Sequence, residues 1–543
     1  MMKSVTIFAL MTLLVSSCIP REDVDMLFFN ARFYTVDNAF GVADAMVVRD
    51  GLIVDIGPEQ RLHKTYNPRL ERNLKGNYAY PGFIDAHAHF LALARSYQEV
   101  DLRNSSSLKD VEVRVSDFQL DRDYSVIRGM GWDQNIWEDN QFPNNTVLSK
   151  LFPETPVLLR RIDGHAMLVN DIVLERNGIT AEMDVEGGEI VTENGVPTGV
   201  LIDNAMDLVK WPPKSLDDLQ DGVELAERKC FSLGLTGLSE MGLSWEEIMY
   251  LDDLYTNNEL TINMQVLAGS DSATFEKALA NGGWVRRNME FNGFKFYADG
   301  ALGSRGACLI KPYSDMPTTT GFLLKDPEEI EKQARQVKNA GMQLCTHAIG
   351  DSANRVMLDI YQRLWPDDNT HRWRIEHAQI VHDDDLRAFD GTGIIPSVQP
   401  THATSDMLWA KKRLGARRIN DGYRYEDLRA VAGIVALGTD FPIEPVDPLG
   451  TFYSAVVRKN DDGVPEGGFQ MSNALSRQDA LRGMTIWAAY AQFSDDRCGS
   501  LEIGKQADMV VLSKDIMRCD ASELRRVEIL QTYVKGENVY GVF

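Results

Sequence analysis

Tyr78-Ala-Tyr-Pro-Gly-Phe-Ile-Asp-Ala-His-Ala-His-Phe90 is a short apolar run that ends in two histidines one residue apart. The two-residue period of an extended chain points both imidazoles to one face. A pair of neutral imidazoles there suits zinc, iron or manganese. Three further polar groups share that setting: Met342-Gln-Leu-Cys-Thr-His347 and Trp373-Arg-Ile-Glu-His377 end in histidine, and Gly433-Ile-Val-Ala-Leu-Gly-Thr-Asp440 ends in aspartate. Residues so far apart in sequence converge when parallel strands close into a barrel, because the C-terminal strand ends meet at one rim. His87, His89, His347, His377 and Asp440 are therefore candidate ligands of a divalent metal. A lone strand-end histidine is more often a hydrogen-bonded core or surface residue. It is the shared context of all five positions that favours a metal site.

The rest of the chain supplies the barrel. Strand patterns lie at 234–241, 261–267, 291–297, 342–347, 373–377, 393–399 and 433–440, separated mostly by helix-like stretches such as 327–339. With the segment that ends at His87 and His89 they make eight strands in β/α alternation, an α/β fold of the (β/α)8 TIM-barrel class. The interval between His89 and the second strand is too long for one helix. Residues 101–229 carry their own strand and turn signals, including Gly187-Gly-Glu and Asn194-Gly, and read as a subdomain inserted after the first barrel strand and lying over the barrel mouth. Such an insertion would shape substrate choice. Short strands also stand at both chain ends, at 26–36, 45–57, 504–512 and 529–537, with Arg49-Asp-Gly-Leu as a hairpin signal.

Six motifs carry a resemblance to a known family: Pro81-Gly-Phe-Ile-Asp-Ala-His-Ala-His89, Asp163-Gly-His165, Lys295-Phe-Tyr-Ala-Asp-Gly-Ala-Leu-Gly-Ser-Arg305, Thr346-His-Ala-Ile-Gly-Asp351, Ile375-Glu-His-Ala-Gln379 and Gly438-Thr-Asp440. From about residue 25 to its end the chain resembles the amidohydrolase superfamily, and within it the amidohydrolase 3 group of N-substituted formamide deformylase-like enzymes. The resemblance implies that residues 24–76 and 491–543 build one small β-sandwich beside the barrel, whose parts are the strand 1 region at 77–100 and the body at 230–490. It also implies that Lys295 is carboxylated and that its carbamate bridges two metals. An ammonium would be a poor neighbour for two cations, whereas a carbamate reverses the sign and offers two oxygens. The alternative is a Lys295 ammonium paired with Asp299 or orienting substrate. The number of ions, one or two with zinc favoured, turns on that point.

The expected chemistry is metal-dependent hydrolysis of a non-peptide C–N bond in a small molecule, such as an amide, formamide or cyclic amide. Asp440 is the candidate proton shuttle, since an aspartate beside both metal and water can take a proton and deliver it to the departing nitrogen. His165 is a candidate for substrate orientation or oxyanion stabilisation, and Arg305 for a bidentate clamp on a substrate carboxylate. Each has a bland counterpart, a loop histidine or a loop-anchoring arginine. Trp132 and Trp137 are candidates for an apolar wall or for buried packing, and Cys345 shares strand parity with His347. Two other readings are a mononuclear deaminase, which needs a glutamate general acid, and a lipid-anchored binding protein without turnover. Glu376 does not suit the deaminase role, because neighbouring strand residues point to opposite faces.

At the other end of the sequence Lys3 precedes an apolar stretch from Val5 to Val15, followed by Val15-Ser-Ser-Cys18. Residues 1–18 match a bacterial lipoprotein signal peptide with Cys18 as the lipidated residue. The expectation is an exported lipoprotein, periplasmic or extracellular, tethered to the cell membrane or outer membrane by its acyl chains alone. A formal net charge of -24 argues against nucleic acid as a partner. Five cysteines besides Cys18, scattered without close spacing, form neither a disulfide framework nor a Cys-based zinc site. The oligomeric state is open.

Overall fold

Eight strands run parallel around one axis, and they are numbered here in chain order: β1 Phe83–Ala88, β2 Leu235–Leu243, β3 Asn263–Ala268, β4 Met289–Tyr297, β5 Gln343–His347, β6 Arg374–Glu376, β7 Ile395–Val398 and β8 Ala436–Leu437. The computed structural model describes residues 21–542, apart from 121–123, 163–164, 186–187, 211–215, 217–218 and 367–368. Residues 1–20, Cys18 among them, lie outside the described residues, as do Asp163 and Gly164 of the Asp-Gly-His motif. Each strand pairs with its sequence neighbour. The register sets Tyr297 opposite His347 and His347 opposite Glu376, so polar residues accumulate at one rim.

The ring is drawn together where β8 meets β1. The amide of Asp440 donates to the carbonyl of His87 at 2.8 Å, and the amide of His89 donates to the carbonyl of Phe441 at 2.8 Å. Asp85 reinforces the seam by accepting from the Thr439 amide at 3.0 Å and the Thr439 hydroxyl at 2.7 Å. A side chain at Gly438 would place its Cβ 2.6 Å from both Asp85 Oδ1 and the His87 nitrogen, so only glycine allows this approach.

Helices cover the barrel because their apolar faces bury against the outward residues of the strands. Leu238, Val266, Phe294, Leu344, Ile375, Val398 and Leu437 share one core with helical Leu251, Phe275, Ala334 and Leu358. The helix Pro327–Asn339 starts on an Asp326 cap with proline in its first turn, an N-terminal arrangement readable in the sequence. Helix Gln220–Ser232 packs on helix Phe90–Ser96, with Gly222 against the carbonyl of Ala94.

The two chain ends build a sandwich. A four-stranded sheet of Glu22–Phe29, Ala45–Arg49, Leu52–Gly57 and Tyr66–Asn73 faces a six-stranded sheet in which Tyr78–Pro81 pairs antiparallel with Met509–Leu512. Phe28, Met46 and Ile53 from the first sheet meet Phe33, Met509 and Tyr533 from the second. Between β1 and β2 the inserted subdomain has its own six-stranded sheet, from Val100–Asp101 to Val196–Asp203, and its own apolar clusters. No helix among the described residues is long and apolar enough to cross a membrane.

Candidate metal centre

The rim brings together His87, His89, Lys295, His347, His377 and Asp440. One ligand atom each from His87, His377 and Asp440 lies within 4.8 Å of the others, and all three residues are buried. Asp440 Oδ1 is 3.3 Å from His89 Nε2 and 3.6 Å from His87 Nε2. The rings of His347 and His377 are 4.6 Å apart, and those of His87 and His377 4.8 Å. Lys295, wholly buried on β4, places Nζ 3.0 Å from His87 Nε2.

Local backbone geometry makes this convergence possible. His377 and Asp440 each follow a strand and adopt the left-handed region, at φ 70° and 63°, an uncommon state for residues other than glycine. Because His377 has left the strand, the alternation rule does not separate it from Glu376. Both face the site, which corrects the expectation that they point apart. Glu376 Oε2 lies 2.6 Å from His87 Nδ1. A carboxylate only accepts, so Nδ1 carries the proton and Nε2 presents its lone pair. His377 is set the same way, with Nδ1 2.7 Å from Gln399 Oε1.

Electrostatics favours metal ligation. Burial, with the Lys295 charge second, holds His87 well below the ordinary histidine range. Burial and the neighbouring imidazoles do so for His377, and burial brings His347 down to about 3. Burial alone would raise the Asp440 carboxyl, but the imidazoles of His87 and His89 outweigh it and hold it below its ordinary value. Two buried acceptor atoms, His347 Nε2 and Asp440 Oδ1, have no aligned hydrogen-bond partner among the described residues. Neutral imidazoles, a carboxylate and unsatisfied buried lone pairs fit a divalent cation.

The other candidates sit differently. His165 has a side chain 75% exposed and pairs with Asp203 at 2.9 Å, a contact within the inserted subdomain. Arg305 spends its fork on Asp315, at 3.3 and 3.0 Å, and Arg413 shares that carboxylate, so the loop-anchoring arrangement is the one observed. Trp132 and Trp137 are buried in the subdomain core, where their indoles donate to the carbonyls of Leu159 and Ser105. Cys345 packs with Met241 and Leu267, and burial pushes its thiol up to about 12. Asp299 accepts from the amides of Ile349, Gly350 and Cys308, and Lys295 has no carboxylate within 4.0 Å among the described residues.

Sequence reasoning missed His402, whose Nε2 is 3.8 Å from Asp440 Oδ2 and whose ring lies 5.9 Å from that of His377. It stands three residues beyond Gln399 in a helix that opens with Pro400. The signal available was its position just past the seventh strand pattern. Glu240 was missed as well; it accepts from the amides of Phe90 and Leu91 and so secures the turn that carries His89.

The amidohydrolase family model matches residues 71–540. The chain belongs to the amidohydrolase family. This amidohydrolase is 31% identical to Protein LONG AFTER FAR-RED 3 of Arabidopsis thaliana, over 95% of its own length and 91% of the relative's. It is 27% identical to the N-substituted formamide deformylase of Arthrobacter pascens, over 94% and 97% of the two chains. A metal-dependent hydrolase from Pyrococcus horikoshii superposes with a TM-score of 0.77 at 28% identity, over 92% of this chain and 99% of the other. The amidohydrolase therefore has a metal-dependent hydrolase fold with a candidate site at His87, His377 and Asp440.

Proposed function

We propose that this amidohydrolase cleaves a non-peptide C–N bond, an amide, formamide or cyclic amide, in a small-molecule substrate. The observation that carries the reading is the meeting of His87, His377 and Asp440 ligand atoms within 4.8 Å of one another at the barrel rim. His89 and His347 complete the set, with zinc as the favoured metal. A divalent ion bound there would lower the pKa of a water toward neutrality and polarise the scissile carbonyl. Asp440 accepts the water's proton at a carboxylate oxygen as the new C–O bond forms, then releases it to the nitrogen as the C–N bond breaks.

Lys295 is proposed to carry a carbamate, formed when its neutral amine adds to carbon dioxide and loses a proton. In support, Nζ is buried beside His87 with no ion-pair partner among the described residues, and burial lowers its pKa. Two ions would then be held. A deaminase reading lacks its general acid, because both Glu376 oxygens are engaged, by His87 and Arg374. The proposed setting is that of an exported lipoprotein attached through Cys18, supported by Val15-Ser-Ser-Cys18 after the apolar stretch.

Elemental analysis of protein from residue 19 onward, paired with non-denaturing mass spectrometry, tests the centre. About two metals per chain with a carboxyl adduct on Lys295 are expected, along with turnover of some N-acyl or N-formyl compounds. No metal after reconstitution would overturn the reading.

A further inference from the structure

Arg374 lies in the barrel interior, fully buried, and belongs to none of the candidate ligand positions. Its Nε donates to Glu376 Oε1 at 2.6 Å, and its Nη2 donates to the carbonyl of Ala86 at 2.7 Å. Ala86 immediately precedes His87. The other oxygen of Glu376 meets His87 Nδ1 at 2.6 Å. One guanidinium thus holds the histidine from two sides, by the main chain on β1 and by the side chain through Glu376 on β6. The two-residue strand period turns Arg374 and Glu376 to the same face, and the planar fork lets one cation serve two acceptors.

Stability alone gives this pair little reason to exist. Replacing a buried ion pair by apolar residues of similar volume is often neutral or stabilising, whereas removing one partner leaves a buried charge uncompensated. By contrast, His377 is fixed by the neutral Gln399 side chain, with no ion pair behind it. The charged support stands behind the histidine whose Nε2 faces both Lys295 and Asp440.

We propose that Arg374 and Glu376 act together as the positioning pair for His87 and that the pair sets metal affinity. The proposal rests on the metal-centre reading above. A hydrogen bond from a carboxylate fixes a ligand imidazole's tautomer and orientation and strengthens it as a donor, and losing such partners typically costs 10–100-fold in metal affinity.

The experiment is zinc binding by chelator competition, with the melting temperature of the zinc-free protein measured alongside, for the parent and the double variant Arg374→Met/Glu376→Leu. The expected result is a melting temperature near that of the parent with zinc affinity at least about 10-fold weaker. Parent-like affinity in the folded double variant would overturn the proposal while leaving the metal centre standing. A parent that binds no zinc would overturn the metal centre itself, and the proposal with it. If the double variant does not fold, Glu376→Asp, which keeps the charge and withdraws it by one methylene, takes its place. Weaker binding at an unchanged melting temperature would then support the proposal, and unchanged binding would overturn it.

Discussion

The amide of Asp440 donates to the carbonyl of His87 at 2.8 Å, so the candidate proton shuttle and the first candidate ligand are fastened to each other through their main chains. The last barrel strand therefore delivers its carboxylate to a place defined by the first strand. Asp440 can be changed chemically while its position is kept.

Asp440→Asn tests this. The amide nitrogen still meets the His87 carbonyl, but the side chain can no longer accept a proton. Turnover should fall by about 10³-fold while metal content changes far less. Stopped assays and elemental analysis on the same preparation check both, and equal losses in the two would refute the shuttle role.

At the same seam, Gly438→Ala should be poorly tolerated. Its Cβ would come within 2.6 Å of the His87 nitrogen, a backbone atom that cannot swing aside. A cost of about 1–3 kcal/mol is expected, with a lower melting temperature and reduced metal retention, read by calorimetry and elemental analysis.

His347 gives a pH prediction for the metal-free protein. Burial depresses its folded pKa to about 3, against about 6.5 when unfolded. Protonation therefore favours the unfolded chain. The stability this group contributes is intact above pH ~6.5 and is lost as pH falls toward the folded value, at about 1.4 kcal/mol per pH unit. Three buried carboxyls, Asp85, Glu240 and Asp299, are raised to about 7 by burial and act in the opposite sense over the same range. A comparison of parent with His347→Asn isolates the histidine. Between pH 7 and pH 5 the parent should lose about 2 kcal/mol relative to the variant in denaturant titrations.

Lys295→Ala should lower turnover by roughly 100-fold or more, and an added short-chain carboxylate should restore part of it by filling the space with two oxygens. The same acid should do nothing for the parent. Rescue by an added amine in place of an acid would point to an ammonium at this position.

The barrel and most of its rim were legible because several strands are apolar runs that end in or lead directly to a polar residue, as at His87, His347 and Asp440. The chain ends were legible as short strands around turns. What escaped depended on backbone turns that strand periodicity does not encode. Glu376 was assigned to the wrong face because His377 leaves β6 at φ 70°. His402 sits in the helix that follows the seventh strand, where strand alternation no longer tells which side chains turn toward the rim. Asp299 carries a carboxylate beside a lysine in the linear motif, yet three main-chain amides take it. The tryptophans of the inserted subdomain look alike in sequence whether they line a cleft or fill a core.

The strand Tyr78–Pro81 leads into the one that carries His87, and its sheet neighbour is Met509–Leu512, from the far end of the chain. During synthesis the segment that leads to the first candidate ligand thus emerges early, more than 400 residues before its sheet neighbour exists. Products that stop short of residue 509 lack that neighbour, so the sheet that leads into the His87 strand closes only after all eight barrel strands have been made.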